Sequence, residues 1–262
     1  TMEADSLNAA VLGPDAAPGT PEFDLFVKEA AREMTVKAGQ KCTAIRRALV
    51  PSTLLEPTQA AIADRLAKTV IGDPREDNVR MGALAGLAQR ETVRANLALL
   101  QTEAQLVTAE AAEFLQADDN TGAFMAPALL RCDAPMAAKL VHEVEAFGPV
   151  ATLMPYTDLS EAGELARRGK GSLVLSLFTH DLSVISELVV ETASSHGRML
   201  IVDRDSASAS TGHGSPLPHL VHGGPGRAGG GEELGGLRGV HHYMQRTAIQ
   251  AKPAVLDMVA AL

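Results

Sequence analysis

The stretch "SLVLSLFTHDLSVISELVVETASSHGRMLIVD", residues 172–203, decides the fold. "SLVLSLFT" (172–179) reads as a buried strand by its length and its Val, Leu and Phe content. Residues 181–196 then place Leu182, Ile185, Leu188, Val189 and Thr192 on one stripe at helical spacing, and "RMLIVD" (198–203) reads as the next strand. The same alternation extends towards the N-terminus. Strands are expected at Leu7–Leu12, at Thr43–Val50 closing on Pro51, and at 104–108, 124–131 and 149–154. Helices are expected from Thr20-Pro21 to Gly39, over 57–70 up to "GDP" (72–74), near 86–100 and near 159–168. Thr20 followed by Pro21 is a strong helix start, a capping hydroxyl and then proline at the first helical position. Phe23, Phe26, Val27, Ala30, Ala31 and Met34 form that helix's apolar face. Strands alternating with helices of this length predict an α/β fold around a largely parallel sheet.

Residues 206–239 break the pattern with Gly, Ser, Pro and His, and carry no apolar period. Loops this long inside a domain are usually functional or run between domains. A short helix near 232–242 and a β-like tail, "YMQRTAIQ" (243–250), are expected after it. "TMEADSLNAAVL" begins without an initiator Met, and "AVLDMVAAL" ends on an apolar helical run, so a segment of a longer polypeptide is expected.

The chain has 262 residues, with 46% apolar, 21% charged and 3% aromatic content and no Trp, so its core is built from Ala, Leu and Val. A net charge of −9 argues against an extended phosphate-binding surface, and no nucleic-acid partner is expected. No apolar run approaches the roughly 18–20 residues of a membrane span, and no secretory signal is evident. Two distant cysteines make neither a disulfide framework nor a metal-ligand spacing, which fits a reducing, cytoplasmic setting.

Cys42 sits in "KAGQKCTAIRR" (37–47), at a helix-to-strand turn where a side chain can face a cleft, whereas Cys132 follows an apolar strand and reads as a core residue. The order Gly39, Gln40, Cys42, Ala44, Arg46 resembles the nucleophile segment of the aldehyde dehydrogenase superfamily, Gly-Gln-x-Cys-x-Ala and then Arg on a strand. "TMEADSLN" resembles the segment carrying that family's general base, which implies the role for Glu3. "EAFGPV" (145–150) is similar to the family's Glu-x-Phe-Gly-Pro-Val, which implies that Glu145 binds the nicotinamide ribose and Phe147 lies beside the ring. "GGPGRAGGGEELGG" (223–236) resembles the glycine-rich segment near the C-terminus, and "YMQRTAIQ" the strand used in subunit pairing.

The resemblance is strongest to the ring-opening aldehyde dehydrogenases of aerobic, CoA-thioester aromatic degradation. It implies NADP, or NAD, as cofactor, a CoA-linked aliphatic semialdehyde as substrate and a homo-oligomer. The phenylacetate pathway is the first expectation. The dehydroadipyl-CoA semialdehyde of benzoate degradation is the alternative, and an inert assembly domain is the non-enzymatic one.

The implied division of the chain is 1–8 as a linker from a cofactor-binding half, carrying the base; 9–205 as catalytic domain; 206–240 as a crossing segment; and 241–262 as an oligomerisation strand and tail. A chain lacking the cofactor-binding half is expected to show no dehydrogenase turnover alone. A thiolate suits aldehyde oxidation because it adds readily and leaves a thioester that water can cleave, with Glu3 activating that water or Cys42 itself. The backbone N–H of Cys42 is a candidate donor to the oxyanion.

Gly224, Gly226 and Gly229 spell G-x-G-x-x-G, but without a strand before or an acidic residue beyond they read as a loop. His213, His219, His222, His241 and His242 lack a metal-binding spacing, so no metal is expected. His213 and His222 are read instead as facing the substrate tunnel. A cysteine hydrolase would need a His beside Cys42, and none is near it in sequence.

Overall fold

The computed structural model describes residues 2–108, 113–118, 120–217, 222–229, 236–242, 244 and 252–261. Seven strands form one sheet: β1 (Ala9–Leu12), β2 (Arg47–Pro51), β3 (Gln105–Leu106), β4 (Ala128–Arg131), β5 (Val150–Tyr156), β6 (Ser172–Phe178) and β7 (His196–Val202). Their order is β3-β4-β5-β2-β1-β6-β7, parallel throughout except for β3 against β4. The helices are α1 (Pro21–Thr35), α2 (Leu55–Ala67), α3 (Leu87–Leu100), α4 (Leu159–Arg167), α5 (Leu182–Thr192), α6 (Gly236–His242) and α7 (Pro253–Ala260). None of the described helices is long and apolar enough to cross a membrane.

Alternation along the strands sends side chains to two cores. Ala10, Leu12, Ala48 and Val50 meet α1 and α2 through Phe26, Met34, Ile62 and Leu66. Ala9, Val11, Leu49, Leu175 and Leu177 share the other core with Leu165 of α4 and Val184 and Leu188 of α5. Helices on both faces explain why strands such as β6 are buried along their whole length. Arg47 is fully buried within the sheet and donates to the carbonyls of Leu7, Leu165 and Ala166, so its charge rests on the C-terminal end of α4. Burial and the nearby Arg227 pull its pKa down to about 9.

Several boundaries differ from expectation. The Thr43–Val50 strand begins only at Arg47, because Asn8 takes the carbonyls of Cys42 and Ala44 with its side-chain amide and leaves them outside the ladder. The first helix ends at Thr35 rather than Gly39, and Lys37, Ala38 and Gly39 follow with positive φ. Leu182 is 79% exposed, and α5 buries Val184 together with Leu188 and Thr192 of the expected stripe. The strand expected over 104–108 shrinks to the two residues of β3. Cys132 is buried in the core as expected. Apart from Met244, the "YMQRTAIQ" strand lies outside the described residues, as does most of the glycine-rich run after Gly229.

Residues 203–217 run back along α1. Glu22 binds Arg204 through both the backbone N–H and the guanidinium, Glu29 accepts the His213 N–H at 2.9 Å, and Gly214 packs against Lys41 and Glu33. Three glutamates on one face of α1 are the track on which this aperiodic segment is laid.

Candidate functional site

Cys42 precedes β2, the segment from Glu3 precedes β1, and Glu145 and Phe147 precede β5. Because β5, β2 and β1 are adjacent and parallel, all four residues arrive at one edge of the sheet, that of the strand N-termini.

The turn that carries Cys42 is built by its neighbours. Gly39 has φ +69°, and a Cβ there would lie 2.2 Å from the Gly148 carbonyl oxygen, so only glycine fits. Gln40 clamps two loops, accepting the Ala85 N–H at 2.7 Å and donating to the Phe147 carbonyl at 3.3 Å. Arg46 is buried and donates to the carbonyls of Gly39 (2.9 Å) and Gly148 (2.7 Å) and to the Glu145 carboxylate (3.2 Å). Gly39, Gln40 and Arg46 therefore tie the turn to the segment holding Glu145 and Phe147, while Ala44 fills the core beside it at 0% exposure.

Cys42 itself is exposed. Partial burial, the Glu3 carboxylate and then Glu145 push its thiol up, while the N–H groups of Cys42 and Thr43 pull it down. Glu3 is exposed, and its segment is fixed by Ala4 N–H donating to the Arg227 carbonyl at 3.0 Å and by an Asp5–Arg227 ion pair. Glu145 is turned inward between Arg46 and the Ser6 N–H; burial pushes its carboxyl up, and Arg46 pulls it back. Phe147 is 41% exposed, with the Arg46 guanidinium 5.4 Å from its ring centroid. Beside it opens a cleft of about 600 Å³ lined by Lys37, Gln40, Met81 and Gln89 among others.

His222, read from the sequence as a tunnel residue, is brought beside Cys42. Its Nε2 lies 3.9 Å from Cys42 Sγ across 180 positions of sequence, so the histidine absent from the local sequence is supplied by the long loop. His213, read as a tunnel residue, is instead fully buried, with Nδ1 2.7 Å from Ser176 Oγ; burial and the nearby Arg198 hold its pKa down at about 3. Among the described residues one group has metal-ligand proximity, His180, Asp203 and Asp205, and it follows β6 and β7 at the opposite edge of the sheet.

Comparison with known proteins adds the following. The profile of the aldehyde dehydrogenase family matches residues 1–249. The 3,4-dehydroadipyl-CoA semialdehyde dehydrogenase of Aromatoleum evansii is 49% identical over 226 residues, 86% of this chain and 44% of that protein. Protein MaoC of Klebsiella aerogenes is 50% identical over 180 residues, 68% of this chain and 52% of that protein. The chain thus spans about half the length of the curated relatives it matches. Betaine aldehyde dehydrogenase from Staphylococcus aureus, in complex with NAD+, superposes with a TM-score of 0.75 at 24% identity, covering 92% of this chain and 44% of that one, a likeness of fold.

Proposed function

The chain belongs to the aldehyde dehydrogenase family, and from that premise we propose that it carries the catalytic half of a CoA-semialdehyde dehydrogenase, with Cys42 as nucleophile and Glu3 as general base for the water. The observation that carries this reading is the exposed Cys42 at the strand N-termini, where the segment of Glu3 also arrives and its carboxylate opposes ionisation of the thiol. The substrate class, a CoA-linked aliphatic semialdehyde, rests on the relative from Aromatoleum evansii, whose name carries a CoA semialdehyde, and its place in aerobic aromatic degradation rests on the shared motifs. A homo-oligomer belongs to the same proposal.

In this reading the Cys42 sulfur adds to the aldehyde carbon, and the backbone N–H of Cys42 is the proposed donor to the developing oxyanion. The thioester left on Cys42 is cleaved by a water whose proton passes to Glu3. A nicotinamide dinucleotide, when bound, supplies the hydride acceptor, with NADP proposed over NAD.

The residues present fit its ring-and-ribose end. Phe147 offers an exposed aromatic face for a flat ring. Glu145, kept beside Arg46, holds one oxygen on the Ser6 N–H by a long 3.4 Å bond, which leaves acceptor capacity for ribose hydroxyls. The test is turnover by the full-length protein with NADP+ or NAD+ and a CoA-linked aliphatic semialdehyde. Cys42→Ser is expected to abolish it, and Glu3→Gln to leave an acyl group on the Cys42 peptide, seen by mass spectrometry. Full turnover by Cys42→Ser would refute the assignment.

A further inference from the structure

We infer that His222 is the base that takes the proton from the Cys42 thiol, so that the nucleophile works as a cysteine–histidine pair and Glu3 is left free to serve the water. The inference rests on the reading of Cys42 given above and adds a catalytic residue to it.

The geometry comes first. His222 Nε2 is 3.9 Å from Sγ, and no sequence neighbour of Cys42 offers an imidazole. His222 is held there by the two glycines that follow it. A Cβ at Gly224 would lie 2.2 Å from the Ser172 carbonyl oxygen, and one at Gly197 would lie 1.4 Å from that of Gly223. The 223–224 backbone is therefore wedged against the starts of β6 and β7, and the imidazole hangs from a fixed point.

The charges around the sulfur make a base necessary. Glu3, from the first residues, and Glu145, from the segment before β5, both oppose a thiolate. The cations nearby are committed elsewhere: Lys41 Nζ lies 2.6 Å from the Glu33 carboxylate, and Arg46 binds Glu145 and three backbone carbonyls. The N–H groups of Cys42 and Thr43 favour the anion without accepting its proton.

Proton affinity then separates His222 from Glu3. An imidazole is by nature a stronger base than a carboxylate, so it takes the proton of a thiol more readily. Transfer to His222 also creates a cation beside the thiolate, whereas transfer to Glu3 creates none. The step balances: neutral imidazole accepts at Nε2, with its proton on Nδ1, the S–H bond breaks and thiolate and imidazolium remain. The thiolate then forms the S–C bond while the carbonyl π pair moves to oxygen.

The experiment follows alkylation of Cys42 by iodoacetamide against pH, with Cys132 in the same sample reporting whether the fold is intact. Wild type is expected to alkylate Cys42 selectively near neutral pH. His222→Gln is expected to slow it about tenfold at pH 7 and move the midpoint of the profile up by about one unit. Glu3→Gln, which removes a like charge, is expected to speed it. A His222→Gln profile that superposes on wild type overturns the pair and leaves the nucleophile standing. Equal, slow reaction of both cysteines in wild type overturns the nucleophile itself. If His222→Gln exposes Cys132, the reciprocal measurement decides: Cys42→Ser must shift the NMR titration of the His222 imidazole, and an unmoved titration overturns the inference.

Discussion

Replacing Arg46 by Met tests the claim that one buried cation organises the whole site. The guanidinium is nearly inaccessible, as is the Glu145 carboxylate it binds, with side-chain exposures of 3% and 9%. Breaking a buried pair by removing one partner costs about 3–5 kcal/mol, because the remaining charge has no compensation. The carbonyls of Gly39 and Gly148 lose their donor as well, at about 1 kcal/mol each. At pH 8 the loss is therefore expected near 5 kcal/mol, a large part of the roughly 5–15 kcal/mol that holds a typical protein folded.

The loss depends on pH. Glu145 already has its carboxyl pushed up by burial, and without Arg46 it rises further. A raised carboxyl makes the native state hold more protons than the unfolded one between the ordinary value and the raised one. Stability therefore falls as pH rises through that window and is flat above it. Each unit of elevation relieves about 1.4 kcal/mol at low pH, so the mutant is expected to be markedly less impaired at pH 5 than at pH 8. Urea unfolding of wild type, Arg46→Met, Glu145→Gln and the double mutant at both pH values measures this. The double mutant is expected to recover about 2 kcal/mol relative to Arg46→Met at pH 8. The reasoning fails if Arg46→Met costs under about 1 kcal/mol at pH 8, or if the two substitutions simply add.

Three further outcomes are expected. Glu22, held from its ordinary 4.5 down to about 2 chiefly by hydrogen bonding to Arg204, contributes stability that is present above pH 4.5 and lost as pH falls towards 2. Glu22→Gln should remove that acid-side slope, up to about 3 kcal/mol and less where solvent reaches Arg204, as read from denaturant midpoints between pH 2 and 6. Gly39→Ala places a Cβ against the Gly148 carbonyl at positive φ, and should cost about 1–3 kcal/mol and slow Cys42 alkylation even where the chain stays folded. Tyr156→Phe removes a buried hydroxyl that donates to the Leu12 carbonyl at 2.6 Å, and should lower unfolding free energy by about 1–2 kcal/mol without changing Cys42 reactivity.

What the sequence made legible was what depends on local pattern. The Thr20-Pro21 start is realised: Thr20 Oγ1 accepts the Phe23 N–H at 3.3 Å with proline at the first helical position. Strands β5, β6 and β7 lie where their apolar runs put them. Periodicity held along most of α5: Leu188 and Thr192 of the expected stripe are buried and Ile185 and Val189 half-buried, and only Leu182, at the helix start, is 79% exposed, with Val184 buried in its stead. It failed after α1, because Lys37 and Ala38 adopt left-handed backbone with no residue type to announce it. The course of residues 203–217 was hidden for a different reason. That segment has no period of its own, and its path is written on α1, where Glu22, Glu29 and Glu33 recur at helical spacing and are buried. Acidic residues on one face of an otherwise amphipathic helix were the available signal that something polar lies along it.

The site is a product of strand order more than of any motif. Open parallel α/β sheets usually bind ligands beyond the C-terminal ends of their strands, yet Glu3, Cys42, Glu145 and Phe147 all lie before the strands they introduce. What joins them is the register: Ala9 stands opposite Arg47, and Arg47 opposite Thr152, so the residues leading into β1, β2 and β5 are stacked at one edge. Arg46 then binds Glu145 across 99 positions and Cys42 meets His222 across 180. Each motif read alone specifies a turn. Only the order β5-β2-β1-β6, which no local stretch encodes, brings four separate turns to one edge of the sheet. The surroundings of Cys42 are accordingly a property of the completed sheet, and any change that lets β5 slip against β2 removes Glu145 and Phe147 from them while leaving every motif residue in place.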